Sequence, residues 1–273
     1  MNKYIYKNYK VKKFFGQNFL IDKKLINSII SIINPKLNQN IIEIGPGFGS
    51  LTYPILKKNN NLTVIEIDKN LSSYLLLNNI LKKNINIIES DARKINLSKL
   101  CNNKKKSLRI IGNLPYNISI QLLFHLFKYI EYIDDMYLMF QKEVANRLTG
   151  KINNKSYGKL SIMAQYKCYI KSVLDIPSIA FRPIPKVNSS LVYFLPYKKP
   201  KYFIYCKKTL NNIVFSAFNQ RRKTIKKSLK NFFKIKEFKI LGINEKLRAE
   251  NITLKQYCSL SNFYTKNILK KYK

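Results

Sequence analysis

Four consecutive residues, Asn113, Leu114, Pro115 and Tyr116, combine the groups needed to hold a planar amine. Proline fixes its own φ and donates nothing to a strand ladder, so the chain must stop and turn there. The Asn113 oxygen and the Leu114 carbonyl can then face a cleft as acceptors, while Tyr116 offers a flat ring. An exocyclic base amine has two N–H donors and a π-face, so this set would hold it beside a methyl sulfonium. The amine lone pair is delocalised into the base. Acceptors that favour a tetrahedral nitrogen therefore stabilise the transition state more than the ground state. That chemistry requires no metal and no strong general base. His125, the single histidine, sits in an apolar helical stretch and reads as a packed residue.

A second constellation lies upstream. The chain has only 8 glycines, and Gly45, Gly47 and Gly49 occupy alternate positions between an apolar run and a helical one. Glycine there permits a tight turn and a close approach of backbone N–H groups to a ligand. The spacing is GxGxG, not the GxGxxG of dinucleotide folds. Of 14 acidic residues, Glu43, Glu66, Asp68 and Asp91 stand at or beside predicted strand ends. Glu66 follows Gly45 by 21 residues, where an acid accepts hydrogen bonds from ribose hydroxyls. Asp91 could meet an adenine amino group, a role compatible with capping a helix. Together these groups describe an adenosine-containing ligand and leave NAD and S-adenosylmethionine both open.

The elements that must position these groups follow from periodicity. Short apolar runs at 40–44, 62–68, 85–91, 107–113 and 135–140 read as strands, with helical stretches between them. That pattern predicts an α/β fold, a mainly parallel, Rossmann-like sheet covered on both faces, with ligands at the carboxyl ends of the strands. Pro196 and Pro200 mark a linker. The expected division is 1–197, with a basic segment at 1–24, and a small helical domain at 198–273. NNKKK (102–106) reads as a loop.

Charge sets the partner class. There are 51 basic residues against 14 acidic, a net +37, which calls for a polyanion, most simply a nucleic acid. Lysine supplies 44 of the 51, and A/T-rich codon usage accounts for part of that excess. Arginine is scarce, so the Arg221-Arg222-Lys223 cluster stands out as an RNA-binding site. It lies in a stretch, 201–273, with 19 basic residues and three glutamates. No run approaches the roughly 18–20 apolar residues of a membrane span, and no secretory leader is expected. Cys101, Cys168, Cys206 and Cys258 lie too far apart for a zinc motif or a disulfide framework, so a reduced, cytoplasmic compartment fits.

Further stretches make the pattern specific: FFGQNFL (14–20), IIEIGPGFGSLT (41–52), VIEID (64–68), GNLPYNIS (112–119), FRPIPKVNSSLV (181–192), FNQRRKTIKKSL (218–229) and RAENITLKQY (248–257). In this order they resemble the small-subunit ribosomal RNA adenine N6,N6-dimethyltransferases, class I methyltransferases. The resemblance implies S-adenosylmethionine as methyl donor, without a metal. Its substrate would be two adjacent adenosines in a hairpin loop near the 3′ end of 16S rRNA, within an immature small subunit, with no membrane and no obligate protein partner. It also implies that Asn18 and Leu20 close over the cofactor and that Gly45 and Gly47 meet it. Glu66 would contact its ribose and Asp91 its adenine, and Asn113 would stand beside the methyl group. Phe181 would stack on the target base opposite Tyr116. Two related readings are a large-subunit rRNA methyltransferase of the macrolide-resistance type and a non-catalytic assembly factor. The basic 218–229 stretch argues against the first and the intact Gly45, Glu66, Asp91 and Asn113–Tyr116 against the second. An NAD oxidoreductase fails on loop spacing.

Overall fold

The protein was analysed as a computed structural model, which describes residues 5–6, 9–59, 61–77, 85–101 and 108–268. Eleven strands occur among them. The N-terminal segment holds three short ones, β1 (Ile5–Tyr6), β2 (Tyr9–Lys10) and β3 (Phe19–Leu20). The central strands are β4 (Asn40–Ile44), β5 (Leu62–Glu66), β6 (Ile85–Glu89), β7 (Leu108–Asn113) and β8 (Ile133–Gln141). Then come β9 (Cys168–Ile176), β10 (Phe181–Arg182) and β11 (Ser189–Pro196). Seven of them form one sheet in the order β6-β5-β4-β7-β8-β11-β9. The pairs from β6 to β8 are parallel, and β8 pairs with β11 antiparallel.

The five central strands lie where the apolar runs predicted them. β9 and β11 were not anticipated. β9 lies at the sheet edge and is buried only at Cys168 and Ile176, so it lacks the continuous apolar run of an interior strand. The register of β4 against β7 pairs Ile44 with Gly112, which sets the glycine loop beside Asn113. From β4 the chain runs outward to β5 and β6, then returns to β7 on the other side. This reversal opens a crevice at the carboxyl ends of β4 and β7.

Helices cover the sheet. α1 (Lys23–Ile33) starts where Asp22 accepts a hydrogen bond from the Leu25 N–H at 3.0 Å. It ends at Asn34, whose φ of 47° stops the helix. Its Ile29, Ile30 and Ile33 are buried with Ile41, Val64 and Ile111, each worth about 1.5–3 kcal/mol relative to exposure. α2 (Thr52–Leu56) follows the glycine loop and α3 (Lys69–Leu77) follows β5. Residues 78–84 lie outside the described residues, as does the loop at 102–106. α4 (Ser119–Leu126) follows Tyr116, and α5 (Lys142–Leu148) follows β8. Arg109 of β7 grips Asp135 of β8 through two bonds of 2.9 Å and also donates to the Ile33 carbonyl at 2.8 Å. One of the few arginines is therefore committed to the fold.

Two compact units form: Met1–Ala145 with Lys171–Pro196, and Asn146–Ile170 with Tyr197–Lys273. Residues 146–170 thus group with the helical unit, unlike the linear division at 197–198, although Cys168–Ile170 open β9 of the sheet. The reason is that Tyr157, Ile162 and Tyr166 bury into the same core as Ile213, Val214 and Tyr257. That unit contains α6 (Lys159–Gln165), α7 (Lys207–Asn219), α8 (Ile225–Ser228), α9 (Ile235–Ile240) and α10 (Leu254–Phe263). No helix among the described residues is long and apolar enough to cross a membrane.

Candidate active site

The crevice is a cavity of about 290 Å³ whose wall includes Asn18, Leu20, Gly45, Gly47, Glu66, Asp91 and Asn113. The seven residues expected to hold a cofactor are thus brought together from five separate segments. Gly45 and Gly47 have φ of +69° and +55°, a region costly for other residues. A Cβ at Gly47 would also stand 2.9 Å from the Phe19 ring, so the turn admits only glycine against that lid.

The acids are held differently. Glu66 accepts from the Gly47 N–H at 3.3 Å and the Asp68 N–H at 3.0 Å. Burial raises its pKa, and the backbone N–H groups oppose that rise. Asp91 caps the turn at Ala92–Lys94 and is gripped by Arg93, whose Nη2 donates at 2.6 Å and Nε at 3.0 Å. The Arg93 side chain lowers its pKa and keeps it ionised. Glu43, a strand-end acid without an assigned role, lines the same cavity and accepts from Thr52 at 2.7 Å. Burial pushes its pKa up to about 7, only partly offset by Thr52.

Glu43 therefore binds a proton more tightly in the native state than in the unfolded chain, where its value is about 4.5. Its contribution to stability is fully present below about 4.5 and is lost as pH rises through about 7, a change of roughly 3 kcal/mol. The melting temperature should fall over that window, and Glu43→Gln should flatten the fall. An identical pH profile in the variant would mean that Glu43 ionises as an exposed acid does.

Asn113 ends β7, and its Nδ2 donates to the Asn18 carbonyl at 2.8 Å. Only the amide nitrogen can donate, so Oδ1 is turned away from Asn18 as an acceptor. Pro115 lines the cavity, whereas Leu114 has a buried side chain and only its backbone can serve the site. Tyr116 is half-buried and shares a 2.6 Å hydrogen bond with the Ser189 hydroxyl, which fixes its ring. Phe181 is fully buried: β10 pairs it with Leu20, and its ring packs into the core beneath the sheet's helices. Its ring is not available to stack on a base. His125 contacts the Ile95 carbonyl at 2.9 Å, a packing role as read from its apolar helix.

Sequence reasoning missed how the N-terminal segment is fastened to the glycine loop and β5. Asp68, buried after β5, receives hydrogen bonds from Lys12 at 2.9 Å, Gln17 at 3.1 Å and the Tyr9 hydroxyl. Burial pushes the Asp68 pKa up, but these donors together hold it below the usual carboxylate range. Phe19 packs on Phe48 of the glycine loop at 4.7 Å between centroids, with Tyr6 and Tyr9 around them. The latch thus sets residue 17, and with it the Asn18 carbonyl that orients Asn113. The one available signal was a strand-end acid without a ligand role.

In the helical unit, Arg221 Nη2 donates to the Lys155 carbonyl at 2.8 Å and to Glu250 at 2.9 Å. All three residues of the cluster are exposed, but Arg221 is committed as a clasp within the unit. No group of three metal-ligating side chains occurs among the described residues.

Residues 8–266 match the profile of the family described as ribosomal RNA adenine dimethylase. The chain belongs to that family. A ribosomal RNA small subunit methyltransferase A of Citrobacter koseri is 45% identical over 267 residues, 98% of each chain. A dimethyladenosine transferase from Plasmodium falciparum superposes with a TM-score of 0.75 at 25% identity, over 89% of this chain and 95% of that one. The 23S rRNA methyltransferase ErmE shares the fold, with a TM-score of 0.68 at 20% identity over 91% and 100%. The dimethylase reading of the sequence and its class I methyltransferase fold both hold. The macrolide-resistance and assembly-factor readings are not favoured.

Proposed function

We propose that the chain transfers methyl groups from S-adenosylmethionine to N6 of two adjacent adenosines in a hairpin loop near the 3′ end of 16S rRNA. The substrate is an immature small subunit in the cytoplasm. The observation that carries this reading is the Asn113 carboxamide, held by the Asn18 carbonyl at 2.8 Å with its oxygen free to accept from an amine.

The residues fit the donor. Glu66 keeps lone pairs beyond its two backbone bonds for ribose hydroxyls. Asp91, despite the Arg93 grip, retains acceptor capacity for an adenine amine. The positive-φ turn at Gly45 and Gly47 leaves no side chain between backbone and ligand. When bound, S-adenosylmethionine supplies an electrophilic methyl group. Asn113 Oδ1 and the Leu114 carbonyl accept from the N6 hydrogens, two in the first transfer and one in the second, and draw the lone pair out of conjugation. As the N–C bond forms, the sulfur–methyl bond breaks to leave S-adenosylhomocysteine, and N6 sheds one proton to solvent. Pro115 ends the ladder beside Asn113, and both line the crevice. Tyr116, its ring set by Ser189, holds the base once it has left its stack, which costs little in a loop.

Methyl transfer to immature small subunits, compared with naked rRNA and large subunits, tests the substrate. Transfer to large subunits alone would overturn it. For the donor, Glu66→Ala should weaken S-adenosylhomocysteine binding by about 1–3 kcal/mol in calorimetry. NADH binding without S-adenosylhomocysteine binding would refute the choice of cofactor.

The helical unit supplies rRNA affinity through Arg222 and Lys223. Reversing these two charges, with Arg221 kept as the clasp, should raise the KM for subunits. The log–log salt slope of single-strand binding should shrink by about 1.4 or more, near 0.7 for each phosphate that is no longer neutralised. Unaltered KM and slope would leave the pair without a docking role.

A further inference from the structure

Residues 197–208, YKKPKYFIYCKK, hold five lysines and no acid. From Lys201 onward the chain alternates: Tyr202 and Ile204 turn inward onto the helical core, while Lys201, Phe203, Tyr205 and Lys207 face out. Phe203 is 67% exposed and Tyr205 56%, which is unusual for aromatic rings that could have been buried. Their centroids are 5.0 Å apart with planes at 85°. This segment is not part of a sheet, so its alternation is enforced by a side chain. Asn262 of α10 accepts from the Tyr205 N–H at 3.0 Å and donates to the Phe203 carbonyl at 2.9 Å. The Lys201 ammonium stands 5.8 Å from the Tyr202 ring centroid and 6.0 Å from that of Tyr197, at the start of the segment. The exposed residues therefore read Lys, Phe, Tyr, Lys along an irregular segment, with Lys207 opening α7.

We infer that this face is a stacking platform for unpaired RNA bases, with Lys201 and Lys207 taking the flanking phosphates. Bare aromatic rings between cations suit single strands, whose bases have free π-faces; a duplex offers only its backbone and edges. Charge selects RNA over a second copy of the chain, because two such faces would bring five lysines against five and each copy carries +37. The inference rests on the rRNA reading above and adds a second contact surface within the helical unit, separate from Arg222 and Lys223.

The test uses the full chain, a labelled oligo(A) strand and an RNA duplex, with anisotropy titrations at several salt concentrations. The F203A/Y205A double variant should lose about 10- to 100-fold in single-strand affinity at an unchanged salt slope, and little on the duplex. F203L/Y205L should lose as much, because leucine keeps apolar area but no π-face. K201Q/K207Q should instead reduce the slope by about 1.4. S-adenosylhomocysteine affinity should stay at the parental value in all three. Parental single-strand affinity in F203A/Y205A overturns the inference, as does an equal loss on the duplex. Self-association abolished by F203A/Y205A with RNA affinity intact would assign the face to a protein contact instead. A parent chain that binds neither oligo(A) nor small subunits would refute the rRNA reading itself.

Discussion

Asn113→Ala is expected to lower kcat on small subunits by about 10²–10³-fold while leaving subunit affinity near the parental value. The range is that for removing one preorganised polar group aimed at the reacting centre. Asn113 holds its amide by a single 2.8 Å bond to the Asn18 carbonyl, so truncation frees one carbonyl at the cavity wall and leaves the sheet intact. The loss should appear in kcat and kcat/KM together, because the missing bond strengthens only as the nitrogen becomes tetrahedral. Asp68→Asn offers a graded comparison. It weakens the latch on Lys12 and Gln17 without touching the acceptor itself. If Asn113→Ala melts like the parent and methylates at the parental rate, the catalytic assignment is wrong.

Phe181→Ala is expected to destabilise the protein by about 3–5 kcal/mol, the usual cost of emptying a buried aromatic site. The ring is fully enclosed between β10 and the core that includes Leu20, Ile176 and Leu191. A residue that stacks on the target base would behave otherwise: its truncation would spare stability and raise KM. Phe181→Leu separates the two further, since it keeps most of the volume and removes the π-face. Phe181→Leu should turn over substrate nearly as the parent does once melting is accounted for. A variant with parental stability and impaired base binding would restore the stacking role. Leu20 is the partner of Phe181 in β3, so loss of the ring should also loosen the lid and weaken cofactor binding modestly.

What could be read from the chain alone was the local chemistry. The turn at Gly45–Gly49, the strand-end acids Glu66 and Asp91, and the stop at Asn113–Tyr116 each depend on a few adjacent residues. Strand, turn and helix periods are short-range signals, and they placed β4 to β8 and a ligand at the carboxyl ends of the strands; which strand ends adjoin, β4 and β7, came only with the topology. The choice of long-range partners was not legible. The Asn113 amide is oriented by a carbonyl 95 residues away, and Asp68 is tied to Lys12 across 56. Phe181 was placed on the target base by resemblance, yet its pairing with Leu20 buries it. Residues 146–170 lie ahead of the proline linker but join the helical core because Tyr157, Ile162 and Tyr166 find their apolar neighbours there. Arg221 stood out with Arg222 by composition, and only the tertiary structure shows Arg221 tied to Glu250 and the Lys155 carbonyl. Sequence pattern encodes which face of an element is apolar; which surface meets that face is decided when the loops close and buried polar groups must find partners.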